Sequence, residues 1–283
     1  IGLSSIVLLT TLGGTTYDWL SPEIVGLGLI GVVAQPAFAT VEQNAEEPIL
    51  PPHLFRNRVF VVTSALGFVV GFALFGSLTY LPLFQQVVRG LSPTESGLQM
   101  LPLMGGLLIA SIGSGQIISR RGKYRIFPIF GTAIACVGLF LLSNIDSSIS
   151  PGTMALYMAI LGFGLGLVMQ VLVLAVQNAV SYSELGVATS GATLFRSIGG
   201  SMGTAILGAI FANRLATELA ARLPAGAPSE AGQGHIDPSQ IQSLPPLVKA
   251  GYLDAFTSSL TTVFLVASAV VAILVIPVAG RLR

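Results

Sequence analysis

Long apolar runs separated by short polar segments dominate the chain. They lie at about 1–12, 24–41, 59–88, 97–118, 124–143, 152–180, 185–213 and 257–280. All but the first are long enough to cross roughly 30 Å of hydrocarbon as helices, which takes about 20 residues. Inside lipid only helices and closed barrels satisfy every backbone amide and carbonyl, and the period-two alternation of a barrel strand is missing from these runs. The pattern predicts an all-α integral membrane protein, a multi-helix bundle with about seven full spans. The run that begins at Ile1 is too short to span and reads as one truncated span. Pro36, Pro82 and Pro102 fall inside or near span ends, where membrane bundles tolerate kinks.

Composition sharpens this. Hydrophobic residues make up 53% of the 283, charged residues 9%, and the mean hydropathy is +0.84; a soluble globular domain does not have these values. The net charge of +1 leaves no nucleic-acid footprint, since the cations sit in loops and form no basic face. Cys136 is the single cysteine and excludes an intrachain disulfide; within its apolar run it reads as lipid-facing or as packing filler. Ala37-Phe38-Ala39 resembles a signal-peptidase site, but residues 1–23 hold no Lys or Arg, so the basic start of a signal peptide is lacking.

Orientation follows from the segment Gly115-Gln-Ile-Ile-Ser-Arg-Arg-Gly-Lys-Tyr-Arg125, which packs four cations into six residues between two spans. Short loops rich in Lys and Arg lie on the cytoplasmic side. Counting outward, the cytoplasmic segments hold Arg56, Arg58, Arg120, Arg121, Lys123, Arg125, Arg281 and Arg283, and the outside holds Arg89, Arg214, Arg222 and Lys249. Eight cations against four supports the assignment. The turn from Gly13 to Pro22 then lies outside, with Tyr17 and Trp19 at the level of an interfacial aromatic belt.

Two connections differ in composition. Glu42 to Asn57 is acidic and proline-rich and reads as a cytoplasmic connector. Ala221 to Pro246 is rich in Ala, Gly, Pro, Ser and Gln and reads as a flexible external loop, with a short amphipathic piece around Ala216 to Leu223. Gly67/Gly71, Gly162/Gly166 and Gly199/Gly203 repeat at four-residue spacing, which lets helix backbones approach closely. Such pairs serve ordinary packing or helices that shift against one another, and spacing alone does not choose.

The twelve acids, from Asp18 to Asp254, all fall in loops or at helix ends, and Arg196 is the only charge expected at membrane depth. Counted from about Val187, it lies about 14 Å in, near the midplane. A cation there needs a partner. Gln170, Gln177 and Asn178 on the preceding helix can supply amide oxygens, as an acid from elsewhere can, and the role is either a substrate or coupling site or a structural brace. Near the outer end of the third run, Tyr80, Gln85 and Gln86 follow Phe68, Phe72 and Phe75, a stripe suited to amphipathic organic ligands or to core packing.

No pairing of cysteines, no metal-ligand spacing and no nucleophile or phosphate-binding motif occurs, and His53 and His235 are isolated in loops. The sequence therefore points to no enzyme, no cofactor and no metal site.

Several segments together resemble the major facilitator superfamily, and within it the fourteen-helix drug:proton antiporter branch of the QacA/EmrB type. They are Gly13 to Pro22; Glu47-Pro48 with Leu54-Phe55-Arg56-Asn57-Arg58; Tyr80-Leu-Pro82-Leu-Phe-Gln85-Gln-Val-Val-Arg-Gly90-Leu-Ser-Pro93 through Leu101-Pro102; and Asn178 through Gly203. Gly115, Arg120, Gly122 and Lys123 are in register with the superfamily's signature loop, with Arg121 and Arg125 beside them. Ser119 stands at its acidic position.

The resemblance implies that 1–41 are central linker helices, the first truncated, that 42–58 is the cytoplasmic connector, and that 59–283 is the C-terminal six-helix bundle with an extracellular loop at about 214–256. It implies alternating access with substrate held between two halves, the N-terminal half being missing. Its third and sixth runs would line the cavity, putting Tyr80, Gln85, Gln86, Gln170, Gln177, Asn178 and Arg196 at candidate substrate positions. Gly115, Ser119, Arg120, Arg121, Gly122, Lys123 and Arg125 would form a gating loop whose latch is weakened by the absent acid. The implied activity is proton-coupled efflux of drugs or other amphipathic compounds across the cell membrane. The implied partners are a small-molecule substrate, the proton gradient, the bilayer and the other half of the carrier, with no nucleic acid. A non-transporting membrane module, a degenerate half-carrier and a solute importer on the same fold are the alternatives.

Overall fold

The structure is a computed structural model that describes residues 2–13, 17, 20–44, 51–122, 126–222, 241 and 245–279. Helices α1 (Gly2–Leu12) and α2 (Pro22–Asn44) come first, followed by a 3-10 turn at Pro52–Arg56. The main bundle comprises α3 (Arg58–Val87), the short α4 (Pro93–Leu98), α5 (Leu101–Arg121), α6 (Ile126–Leu142) and α7 (Pro151–Gln177). A 3-10 turn at Tyr182–Glu184 leads into α8 (Leu185–Arg222), and α9 (Pro246–Ala279) completes the bundle. Among the described residues no strand forms; Gly13 and Tyr17 make one isolated bridge. Among the described residues five helical segments are long and apolar enough to cross a membrane, at 58–87, 93–120, 151–177, 182–222 and 246–273, and Pro22–Phe38 and Ile126–Leu142 are shorter apolar helices. These seven occupy the positions of the seven full runs. Tyr17 is exposed, and Trp19 lies outside the described residues.

Local chemistry sets the ends. Asn57 caps α3, its side-chain oxygen accepting from the Val59 and Phe60 amides, while its Nδ2 donates to the Ala179 carbonyl at 2.7 Å. Ser92 and Glu95 form a capping box on α4, and Ser150 with Pro151 starts α7. Gly122 ends α5 at φ 67°, a left-handed cap that glycine adopts without strain.

The boundary between the seventh and eighth runs differs from the sequence expectation. The expected loop at 214–256 is narrower at both ends, because α8 continues to Arg222 and α9 begins at Pro246. Glu218 explains the first extension. Its carboxylate accepts from Arg214 at 3.0 Å and Arg222 at 2.9 Å, both one turn away, and from Ser258 on α9 at 3.3 Å. Leu215 and Leu219 on the same stretch are buried. The amphipathic piece expected near Ala216 is thus the last turns of α8, held by (i, i+4) pairs and docked on α9.

Packing follows a repeated plan. In chain order α3, α5 and α6 make one triplet and α7, α8 and α9 a second, and the main contacts of α3 and α7 run between the triplets: α3 packs on α8 and α9, and α7 on α5 and α6. The glycine pairs sit at these contacts. A Cβ on Gly71 would overlap the Arg196 carbonyl, one on Gly199 the Phe68 carbonyl, and one on Gly203 would lie 2.8 Å from Phe72 backbone. On the other side Gly162 and Gly166 meet the carbonyls of Leu103 and Leu107. Each pair therefore marks a close helix crossing. Cys136 is not lipid-facing: its Sγ lies 3.3 Å from Ser268 Oγ, between α6 and α9.

Gly199→Val should lower the thermal midpoint of the purified protein by a shift equivalent to about 1–3 kcal/mol of overpacking or prevent accumulation. Gly105→Ala, at a helical position with open space, should leave the midpoint unchanged or raise it slightly. Asn57→Ala removes a helix cap and an inter-helix bond together, and should cost about 1–2 kcal/mol in the same melting assay.

Candidate functional site

Arg196 projects from α8 at the seam between α3, α7 and α8. Its backbone carbonyl is pressed on Gly71, and its Cβ is close to Gly67. The cleft beside it is walled by Thr63, Val173, Val176, Thr189 and Thr193, side chains that are apolar or carry hydroxyls. The residue is partly buried and makes no hydrogen bond or ion pair with the described residues.

The amide cluster expected around it does not assemble. Gln170 turns toward α5, where its Oε1 accepts from Ser111 Oγ at 3.3 Å. Gln177 and Asn178 are exposed at the end of α7, with the Asn178 amide closing the helix on Leu174. The helical repeat gives the reason: the α7 residues facing the cleft, Leu172, Val173 and Val176, lie roughly 100° around the helix from Gln170. Seven-residue spacing put Gln170 and Gln177 on one face, but that face is turned to α5.

Gln170 instead joins the basic end of α5. With Ser111, Gly115, Gln116, Ser119, Arg120 and Leu174 it lines a polar cavity of about 490 Å³. Ser119 Oγ donates to the Gly115 carbonyl at 2.9 Å, so its hydroxyl is engaged by its own helix. Arg120 is exposed and has no ion-pair partner among the described residues. Gly122 supplies the left-handed turn that lets the loop leave α5. Lys123, Arg125 and the Arg121 side chain lie outside the described residues.

At the opposite end of α3, three further candidates serve as bracing. Tyr80 is buried and donates to the Thr204 carbonyl at 3.3 Å, against Gly208. Gln85 is fully buried; its Oε1 accepts from Arg89 at 3.3 Å, and Arg89 also donates to Gln99 at 3.2 Å. Gln86 donates to Ser96 at 3.0 Å. These bonds tie α3 to α4 and the following turn. Phe72 and Phe75 pack on Gly203 and Gly200 of α8, as core packing requires.

One pairing was not visible in the sequence. His53 Nε2 meets Glu184 Oε1, joining the 3-10 turn before α3 to the turn between α7 and α8, next to the Asn57–Ala179 bond. In this turn, hydrogen bonds from Ser181 and His53 hold the Glu184 carboxyl below the usual carboxylate range. The only sequence signal was a lone histidine and a lone glutamate 131 positions apart. Among the described residues no cluster of His, Cys, Asp and Glu could hold a metal ion.

Comparison with known proteins accounts for this arrangement. The chain is 45% identical over 271 residues to an uncharacterized MFS-type transporter of Mycobacterium tuberculosis, a match that covers 95% of this chain and 39% of the relative. It is 35% identical to the multidrug transporter protein MdtP of Bacillus subtilis, over 98% of this chain and 57% of that one. With the tetracycline resistance determinant of Streptomyces rimosus it shares 34% identity over 69% of this chain and 56% of that one. The chain thus spans about two fifths to just under three fifths of these relatives' length. In fold it is similar to a bacterial homolog of the human lysosomal transporter Spinster, in an inward-facing and occupied conformation, with a TM-score of 0.62 and 17% identity; that match covers all of this chain and 67% of the other. The profile of the Major Facilitator Superfamily matches residues 1–204. On that match, and on relatives above 30% identity that cover nearly the whole chain, this protein belongs to the Major Facilitator Superfamily, a family of membrane transporters and not of enzymes.

Proposed function

We propose that the chain forms the two central linker helices (1–41), the connector (42–58) and the C-terminal six-helix half (59–283) of a proton-coupled efflux carrier in the cell membrane. The carrier belongs to the fourteen-helix drug:proton antiporter branch and exports drugs or other amphipathic organic compounds by alternating access. The observation that carries this reading is Arg196: a cation held partly buried in a mid-helix cleft with no acid beside it among the described residues. Such a group is expensive unless it is paired. Its partner is a carboxylate of the remaining half or an electron-rich group of the substrate, so the cleft between α3, α7 and α8 faces the transport path.

The relatives named for multidrug transport and tetracycline resistance support the substrate class. The proton-carrying acids belong to the N-terminal half, because every acid of this chain within the described residues lies at a helix end, in a turn or on an exposed helix face. The basic end of α5 acts as a gating element, with Gly115 and Gly122 setting the backbone and Arg120, Arg121, Lys123 and Arg125 supplying charge. Ser119 engages its own helix there, so this latch is weaker than one with an acid.

Everted vesicles that carry the full-length protein test the reading through proton-driven uptake of a fluorescent cationic dye. Arg196→Gln should lower the initial rate at least tenfold at equal protein level, and Arg196→Lys should retain part of it. Full activity of Arg196→Gln would remove the cleft from the transport path. Ser119→Asp should restore the acid of the latch and slow the transport cycle severalfold, read as a lower maximal rate with little change in half-saturating dye concentration.

A further inference from the structure

The α3–α8 contact has a second side. On a helix consecutive residues point about 100° apart, so Phe195 and Arg196 leave α8 toward different neighbours. Arg196 enters the cleft shared with α7. Phe195 enters a groove of about 370 Å³ on the other flank of α3, with Phe55, Phe60, Val61, Ser64 and Phe68. Phe55 stands edge-on to Phe60 at 5.7 Å and to Phe195 at 6.1 Å between ring centres, so the aromatic wall is held in place.

One polar atom in this apolar groove is unexplained. Ser64 is 5% exposed, and its hydroxyl has no hydrogen-bond partner among the described residues. Its neighbours on α3 behave differently. Thr63, Ser77 and Thr79 each donate to the carbonyl one turn back, and Tyr80 donates to Thr204. A buried hydroxyl left unsatisfied costs about 1–3 kcal/mol, so an acceptor supplied from outside the chain would relieve it.

The groove's mouth adds a charge. Arg58, Val61 and Ala65 follow (i, i+3, i+7) spacing on one face of α3, and Val61 and Ala65 line the groove. Arg58 therefore stands at its connector end, exposed and without an ion-pair partner among the described residues. Ser64 lies about 9 Å further along the axis. An apolar trough, a hydroxyl donor about 9 Å in and a cation at the rim match one molecule in order: acyl chain, ester carbonyl, phosphate.

We propose that this groove binds one anionic phospholipid, its acyl chain against the phenylalanines, an ester carbonyl on Ser64 and its phosphate beside Arg58. The connector end is cytoplasmic in the orientation set by the basic turn, where anionic lipids concentrate. The site is separate from the Arg196 cleft, so it does not depend on the transport reading.

Native mass spectrometry of the purified full-length carrier, exchanged into detergent with dioleoyl phosphatidylglycerol or dioleoyl phosphatidylcholine, reads the occupancy. One phosphatidylglycerol should remain under conditions that strip phosphatidylcholine. Arg58→Gln and Ser64→Ala should each lower its affinity about fivefold. Ala65→Phe, which fills the trough from an exposed position, should abolish retention, whereas Leu108→Phe on the exposed side of α5 should not. Equal retention of the two lipids, or wild-type occupancy in Ala65→Phe, would overturn the proposal. Displacement of the lipid by the transported dye would overturn it as well and assign the groove to substrate.

Discussion

The close approach of α3 and α8 organises this molecule. Where Gly71 faces Arg196, and Gly199 and Gly203 face Phe68 and Phe72, backbone meets backbone with no room for a methyl group, and Gly67 lies in ordinary contact with Ala192. In lipid, apolar side chains gain little by leaving hydrocarbon for protein, so helices associate through van der Waals fit and hydrogen bonds. Glycine at the crossing provides that fit. The same solution recurs between α5 and α7 at Gly162 and Gly166, and both contacts join a helix of the first triplet to one of the second.

This crossing also distributes chemistry. Because α8 is held in one rotation against α3, Phe195 and Arg196 are fixed on opposite flanks of the seam, one in an aromatic groove and the other in a hydroxyl-lined cleft. A rotation of α8 by one residue would bring one of them into the other's place. Loss of the glycines would therefore change which surface carries a cation as well as how tightly the helices pack.

Polar side chains are used sparingly and mostly inward. Serine and threonine hydroxyls return to carbonyls of their own helices, Gln86 and Arg89 tie α3 to the α4 region, and Asn57 and His53 fasten the connector to the α7–α8 turn. Glu218 with its two arginines carries α8 beyond the apolar run and docks it on α9. Against this background Arg196, Arg58 and the Ser64 hydroxyl stand out among the groups without partners in the described residues, which also include Arg120 and the buried Gln85 Nε2.

Hydrophobic run length alone fixed the helices to within a few residues over most of the chain, because lipid admits few spanning structures and each carries a simple signature. The exceptions are the facing ends of two helices: α8 ran on where (i, i+4) charge pairs and two buried leucines outweighed the polar composition, and α9 begins at Pro246, ahead of its apolar run. The glycine pairs, the left-handed Gly122 and the mid-helix position of Arg196 were likewise legible, each resting on local spacing. The partners were not. Which face of α7 meets which neighbour decides that Gln170 bonds Ser111 and leaves Arg196 alone, and helical rotation depends on the packing of every adjacent helix. His53 and Glu184 meet across 131 residues only because two turns are brought to the same end of the bundle. Sequence by itself determined the spans, their crossing points and the family; tertiary structure decided which polar groups found each other, since that is set by rotation and register between helices, which no local pattern encodes.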